Sequence, residues 1–559
     1  MSGRRKFWII VIILAVLVTT VYLASAGRVS PGSVLVIDLT GPLEEQKATG
    51  FLGTLFGGDI VVLHQVLDAI DAAKTDSHIS GLLMKVNSPM ARWGKLQEIR
   101  DHLMDFQTSK KPSLCLLGGD FNANRDYYTA TGCAQIWIVP SAPLTITGLM
   151  VQSTFYRGTF EKLKIVPEFY HIAEYKTYAN QFMEKKYTAA HREMDESVMR
   201  STYDQYVDGI VRTRKVERAR AEALLAQGPL TSQEALEAKL VDKLAYLDQA
   251  QDFFRDKTRE WKPVSLNRYV KQIKNDGNYR VAVINATGEI LVGNSEWTPS
   301  NGFIMGSESV AADLRRARED SSVKAIVLRV DSPGGSAVAS AIIGREVRLA
   351  VKEKPVVVSM SDLAASGGYW IAMYGTKILA DGGTLTGSIG VVLGKLNISG
   401  LYAMLGLSTD HLQTSENASL FSEQQNFTPA QREKILAMMK GMYQDFCQGV
   451  AEGRHLKVER VNEIGRGRVW TGVQGKEVGL VDELGGLTRA IAVARSLAGI
   501  PSGARVKLVY YPREQSFLES LLSPEEKPTS TNVLAHLYSL AARLGVRTEL
   551  RMPFDVDIR

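Results

Sequence analysis

The chain has 559 residues, 45% of them apolar and 23% charged, with a net charge of +6. That length predicts two to four domains, and the mild charge, with no basic cluster interleaved with aromatics, argues against nucleic-acid binding. Three cysteines (Cys115, Cys133, Cys447) without CxxC spacing and eight scattered histidines point to neither a disulfide framework nor a zinc site, and no cofactor is expected.

Arg4, Arg5 and Lys6 precede an uncharged run from Phe7 to Ala26. At about 1.5 Å per residue this run spans a hydrocarbon core of about 30 Å. The flanking cations stay on the cytoplasmic side. Residues 1–27 therefore read as a basic stub and a single-pass transmembrane signal anchor in the cytoplasmic (inner) membrane, with the body on the extracytoplasmic, periplasmic side. Ala24-Ser25-Ala26 also fits a cleavage signal. Either reading sends the body outside.

Beyond the anchor, apolar runs such as Val34–Leu39, Gly81–Val86 and Ala325–Val330 alternate with longer mixed stretches, the pattern of an α/β fold. The body also repeats itself. Val34-Leu35-Val36-Ile37-Asp38-Leu39-Thr40-Gly41 answers Val281-Ala282-Val283-Ile284-Asn285-Ala286-Thr287-Gly288, and Lys85-Val86-Asn87-Ser88-Pro89 answers Arg329-Val330-Asp331-Ser332-Pro333. Ala190-His191-Arg192-Glu193 answers Ala430-Gln431-Arg432-Glu433, and Leu240-Val241-Asp242 answers Leu480-Val481-Asp482. Four matches in one order at a nearly constant offset predict two copies of one α/β domain, residues 30–270 and 278–511, with turn chemistry at Asn275-Asp276-Gly277-Asn278 between them. The tail, 512–559, has no counterpart and no assigned role. Ser523–Asn532 reads as a linker and Val533–Leu544 as a short amphipathic helix.

Chemistry is sought where the copies differ. The second copy has Asp331-Ser332-Pro333-Gly334-Gly335-Ser336 after a strand and before a helix-like stretch from Ala337 to about Val351. Glycines there leave backbone N–H groups exposed, as an oxyanion hole requires. The first copy has Met90-Ala91 instead. A strand at Pro355–Met360 then leads to Ser361-Asp362-Leu363-Ala364-Ala365-Ser366-Gly367-Gly368-Tyr369-Trp370, where Ser366 stands among small residues at a strand-to-helix turn, a plausible place for a nucleophile although Ser-Gly-Gly is also a common loop sequence. Aligning Tyr127-Tyr128 with Tyr369-Trp370 puts Asn124 opposite Ser366, so the first copy has no nucleophile. No His–Asp pair stands near these motifs, and His411 is alone. The other base open to a serine is a lysine made neutral by burial. Lys176, between Tyr175 and Tyr178 in the first copy, is the candidate, and the corresponding 410–419 region of the second copy has no lysine. Taken alone, Lys176 would read as a solvated surface lysine.

With Ser332-Pro333-Gly334-Gly335-Ser336, Ala365-Ser366-Gly367-Gly368-Tyr369, Leu385-Thr386-Gly387-Ser388-Ile389-Gly390-Val391 and Tyr175-Lys176 in place behind an anchor, the chain resembles the signal peptide peptidase A (protease IV) family in its long tandem-repeat form. The resemblance covers the anchor to about residue 511. It implies a tandem duplication of a Clp protease/crotonase-like β-β-α spiral domain, the first repeat supplying the base and the second the nucleophile. It further implies a Ser–Lys dyad of Ser366 and Lys176, with Ser388 orienting the lysine and the N–H groups of Gly335 and Gly367 forming the oxyanion hole. The implied substrates are cleaved signal peptides and other apolar peptides, and the implied assembly is a homotetramer. Two features depart from the family pattern: Asp362 beside the nucleophile loop, and Thr177-Tyr178-Ala179-Asn180-Gln181-Phe182, which lacks a proline.

The chemistry expected of such a dyad is peptide hydrolysis through an acyl-enzyme. Two other functions fit parts of the sequence. A catalytically inactive membrane-tethered scaffold would suit the degenerate first copy but not the retained Ser366 and Lys176. A crotonase-like acyl-CoA enzyme would use similar glycine turns, but it needs no serine at 366, and its coenzyme is cytoplasmic.

Overall fold

The computed structural model describes residues 29–48, 60–298, 300–513 and 547–551. The expected anchor, the linker and the helix over Val533–Leu544 lie outside the described residues. Among the described residues no helix is long and apolar enough to cross a membrane.

The first half contributes strands β1 (Ser33–Glu44), β2 (Ile79–Met90), β3 (Ser113–Leu117), β4 (Gln135–Ile138) and β5 (Val166–His171), with helices α1 (Trp93–Phe106), α2 (Asn124–Ala130) and α3 (Ala189–Arg214). The second half contributes β6 (Tyr279–Thr287), β7 (Val323–Ser332), β8 (Gly334–Ser336), β9 (Val356–Ala365), β10 (Lys377–Ala380), β11 (Leu385–Gly387), β12 (Val392–Asn397) and β13 (Val506–Tyr511), with helices α4 (Ala337–Ala350), α5 (Gly367–Ala372) and α6 (Pro429–Arg454). A last strand, β14, is Arg547–Arg551.

Two parallel sheets share one strand order. The first runs Pro263–Ser265, β1, β2, β3, β4, Lys243–Leu244; the second runs β13, β6, β7, β9, β10, Glu483–Leu484. Parallel strands covered on both faces are buried along their length and mostly apolar: all ten residues of β9 and all five of β3 are buried. Equivalent details recur. The Tyr127 hydroxyl donates to the Leu240 carbonyl and the Tyr369 hydroxyl to that of Leu480, both at 2.9 Å. Asp242 accepts from the Ile136 N–H and Asp482 from the Ile378 N–H, both at 2.7 Å. Helices α3 and α6 begin at Thr188 and Thr428, whose hydroxyls accept the N–H three residues on. The Thr428 cap is completed by Pro429 in the first turn and by the Gln431 side chain reaching back.

The runs Val34–Leu39, Gly81–Val86 and Ala325–Val330 are the middles of β1, β2 and β7, and the helix expected from Ala337 is α4. Two local expectations change. The strand read as Pro355–Met360 continues to Ala365, because Leu363–Ala365 pair in parallel with β11. The Gly334-Gly335 turn is itself a short strand, with Gly335 beside Ile290. At the junction between halves, Asn275 accepts from the Leu508 N–H and donates to its carbonyl, both at 2.8 Å, so its side chain extends the edge of β13.

The halves are fused rather than merely linked. One hydrophobic core includes Ile37 and Leu82 from the first half and Val283, Val327 and Val357 from the second. A third, mixed sheet joins them again: β5 of the first half runs antiparallel to β12 of the second, from Val166↔Asn397 to His171↔Val392. β14 lies between β12 and β8, antiparallel to both.

Candidate active site

β9 is a fully buried strand that ends at Ala365, and the next residue carries the turn into α5. Ser366 takes φ 58° and ψ −116°, a region that L side chains rarely occupy. Such strain persists only where the surroundings hold it. Here the Ser366 N–H donates to the Gly387 carbonyl (2.8 Å) and its own carbonyl accepts from Trp370 (2.9 Å), fixing the serine between β11 and α5.

Lys176 reaches this serine from the other half of the chain. It comes after β5, whose pairing to β12 carries the first half's backbone into the second half's sheet. The Ile172 N–H then donates to Val391 and the Tyr175 N–H to Arg466, both at 3.1 Å. The side chain is fully buried. Its Nζ lies 2.7 Å from Ser366 Oγ, 3.0 Å from Ser388 Oγ and 3.1 Å from the Ser388 carbonyl. Burial pushes the amine well below the ordinary lysine range. Ser388 is held in turn with φ 51° by its N–H to the Arg468 carbonyl at 2.7 Å.

The two glycines expected to form an oxyanion hole are neighbours. A Cβ on Gly367 would stand 3.2 Å from the Gly335 nitrogen and 2.6 Å from Ser340 Oγ, so only glycine lets α5 begin this close to β8. Gly335 has φ 150°, and a Cβ there would collide with the Ile290 carbonyl. The five residues singled out from sequence, Ser366, Lys176, Ser388, Gly335 and Gly367, thus converge within one chain. Asn124 stands at the equivalent point of the first half, where its side chain donates to the Gly148 carbonyl (2.8 Å) and accepts from the Thr147 N–H (3.2 Å). His411 is exposed on a loop.

Asp362 has a structural task. Its two carboxylate oxygens accept the N–H groups of Arg92 and Lys95, each at 2.9 Å, capping α1 of the opposite half. Lys95 Nζ in turn lies 2.8 Å from Asp331, immediately before the Ser332-Pro333-Gly334 segment.

Sequence reasoning missed the residues that make room for the lysine. Gly467 has φ 85°, and a Cβ there would stand 2.5 Å from Lys176 Cα; one on Gly390 would stand 3.2 Å from Lys176 Cδ. It also missed Arg468, which pairs with Glu193 through two contacts of 2.6 and 2.7 Å and lies over the rings of Tyr175 and Trp470. Gly390 stands within the Leu385–Val391 motif, and the sequence signal for Gly467 and Arg468 is Gly465-Arg466-Gly467-Arg468; both segments are far from Lys176 in the chain.

The model of Peptidase family S49 matches residues 105–262 and 348–501, one segment in each half. The chain is 32% identical to "Serine protease SPPA, chloroplastic" of Arabidopsis thaliana, over 89% of this chain and 74% of that protein. It is also 32% identical to "Protease 4" of Salmonella typhi, over 87% of this chain and 81% of that protein. A solved ClpP1 mutant from Listeria monocytogenes matches 37% of this chain and 94% of its own, at 15% identity and a TM-score of 0.25, too loose a likeness to bear on the fold. With both halves matched by the family model and the relatives aligned over most of their length, the chain belongs to Peptidase family S49 and is a serine peptidase.

Proposed function

We propose that the protein is a membrane-anchored endopeptidase that hydrolyses cleaved signal peptides and other apolar peptides at the extracytoplasmic face of the cytoplasmic membrane, using Ser366 as nucleophile and Lys176 as general base. The observation that carries this reading is the buried Lys176 amine 2.7 Å from Ser366 Oγ. Lys176 takes the hydroxyl proton as Oγ attacks the peptide carbonyl. The tetrahedral oxyanion is held by the N–H groups of Gly335 and Gly367. The Lys176 ammonium then gives its proton to the leaving amine as the C–N bond breaks. Water, deprotonated by the same amine, attacks the ester, and Oγ leaves as the serine hydroxyl. Ser388 keeps the amine pointed at Ser366 throughout.

Preference for apolar peptides is supported by Val338 and Ile342, which are exposed and one turn apart on α4, directly after β8. The shared strand order of the two parallel sheets supports tandem Clp protease/crotonase-like domains at 30–270 and 278–511, the first supplying the base and the second the nucleophile. The anchor in residues 1–27 and a homotetramer complete the proposal.

The test is hydrolysis of a fluorogenic apolar peptide by the detergent-solubilised full chain. Ser366→Ala and Lys176→Ala should each lose at least about 10³-fold in kcat/KM while remaining folded. A Lys176→Ala variant that cuts at the wild-type rate contradicts the assignment of the base.

A further inference from the structure

Ser88 and Ser332 hold the same place in the two copies, each before a proline, yet the copies treat them differently. Ser88 is exposed, with φ 52°, and is followed by Pro89-Met90-Ala91. Ser332 is fully buried and is followed by Pro333-Gly334-Gly335. Burial of this hydroxyl therefore goes with the glycine turn beside Ser366. Ser332 ends β7, past an irregularity that brings it opposite Ala364 of β9, two residues before Ser366. The Asp331 carboxylate secures the irregularity by accepting the Leu363 N–H at 3.1 Å. The Ser332 carbonyl then packs so close to α5 that a Cβ on Gly368 would stand 2.7 Å from it.

The hydroxyl makes two bonds. It donates to the Gly288 carbonyl at 2.6 Å, and its oxygen accepts the Gly334 N–H at 3.1 Å. Gly288 is held in turn. Its N–H donates to the Asp331 carbonyl at 2.9 Å. With φ 97° it lies so near the Phe303 carbonyl that a Cβ would collide there. These bonds close a ring through Asp331, Gly288 and the Ser332 hydroxyl, and they moor Gly334 to it. Pro333 has no N–H, and that of Gly334 is engaged by Ser332 Oγ. The turn's donor toward Gly367 is then the Gly335 N–H, whose nitrogen would stand 3.2 Å from a Cβ on Gly367. Two consecutive glycines have no Cβ to restrict their backbone, so an unmoored turn would rotate this N–H freely. An oxyanion hole acts through donors aimed before the charge develops.

Resting on the peptidase reading above, we infer that Ser332 is a positioning residue for the oxyanion hole: its hydroxyl moors the Gly334-Gly335 turn to Gly288 and so aims the Gly335 N–H at the place beside Ser366 where charge develops. Ser332 acts through Gly334 and Gly335, not on the reacting atoms. Its loss weakens the transition state more than the bound substrate, and it leaves the base alone.

The test compares the full-length wild type with Ser332→Ala on the fluorogenic apolar peptide and on two inhibitors of matching sequence. A peptide aldehyde adds to Ser366 as a hemiacetal: the Oγ–C bond forms, the serine proton passes to the aldehyde oxygen, and that oxygen sits in the oxyanion hole. The corresponding peptide alcohol binds without forming a bond. Ser332→Ala is expected to lower kcat at least about tenfold, short of the about 10²–10³-fold that loss of a whole oxyanion donor costs, with KM within about twofold. The aldehyde Ki is expected to rise by a similar factor and the alcohol Ki to stay within about twofold. The ascending limb of the pH–rate profile keeps its midpoint, because Lys176 is untouched. Ser332→Cys, close to serine in size but a weak hydrogen-bonding group, gives the same split and stands in if the alanine variant does not fold. Equal weakening of aldehyde and alcohol, a displaced pH midpoint, or an unchanged kcat overturns the proposal. If Lys176→Ala retains activity, the dyad fails while the aldehyde–alcohol split still decides on Ser332. If wild type neither cuts the peptide nor binds the aldehyde more tightly than the alcohol, both readings fall.

Discussion

A neutral amine has two protons and one lone pair, and Lys176 Nζ has three oxygen neighbours. The Ser388 carbonyl can only accept, and Ser388 Oγ accepts the second N–H, which leaves the lone pair for the Ser366 proton. This division works only for the unprotonated amine, the state that burial favours by pushing the amine well below the ordinary lysine range. The same burial opposes folding. Below the ordinary lysine pKa of about 10.4 the unfolded chain holds a proton that the folded Lys176 releases, so stability rises with pH across the interval between the lowered folded value and the ordinary one. Lys176→Met should therefore abolish hydrolysis yet raise the Tm by a few degrees near neutral pH. Its advantage over wild type should shrink as pH climbs toward the ordinary lysine value. Thermal unfolding of both proteins across pH checks this; a Met variant less stable than wild type at every pH contradicts it.

At the scale of elements, the site depends on β5 crossing into the other half and on the glycine loop that packs against Lys176. Gly467→Ala places a methyl group against Lys176 Cα and forces a left-handed backbone on a residue that resists it. The cost is about 1–3 kcal/mol of stability, but the larger effect is expected on function, because Lys176, the proposed base, moves while Ser366 does not. Activity should fall at least about tenfold, with the ascending limb of the pH–rate profile displaced, and circular dichroism should show the fold retained. An unchanged pH profile would mean that Gly467 supports the fold alone. These elements also mark how far sequence reaches. Ser366 and Lys176 were legible because two copies of one pattern could be subtracted: Asn124 answers the serine, and no lysine answers Lys176. The continuous apolar runs of β1, β2 and β7 were legible because parallel strands are buried on both faces. Gly390 and Gly467 were not, since a glycine's reason lies in what approaches it, and Lys176 is more than two hundred residues away. Asp362 departs from the family pattern beside Ser366 for the same reason: the helix it caps belongs to the other half.

Across the whole molecule the halves are locked by charges that neither sheet contains alone. Arg329 on β7 is fully buried, pairing with Glu45 (2.9 and 3.1 Å) and Glu98 (2.5 Å) of the first half and donating to Ser359 and Ser361 on β9. Burial alone would raise the Glu45 carboxyl, but the adjacent Arg329 guanidinium, with Lys95, holds it down at about 2. Removing the arginine leaves buried carboxylates without their partner. Arg329→Met should destabilise the protein by about 3–5 kcal/mol, and mildly acidic pH should restore part of the loss by protonating them. Denaturant unfolding at two pH values reads both; a loss below about 1 kcal/mol would mean that solvent reaches the freed carboxylates. This lock bears on the proposed chemistry because β7 leads into Ser332–Ser336 and β9 into Ser366, so the fit between the halves also sets how the proposed base, Lys176, meets the proposed nucleophile.

Activation of one strained serine by one buried lysine can be tested by covalent labelling, without reference to a substrate. The measurement is the rate at which a fluorophosphonate phosphonylates the protein across pH, with mass spectrometry locating the adduct. A single adduct on Ser366 Oγ is expected, formed at a rate that rises with pH and levels off well below the ordinary lysine pKa of about 10.4, with no comparable labelling of Lys176→Ala. An adduct on another serine, or a rate independent of both pH and Lys176, would mean that this pair is not the catalytic dyad.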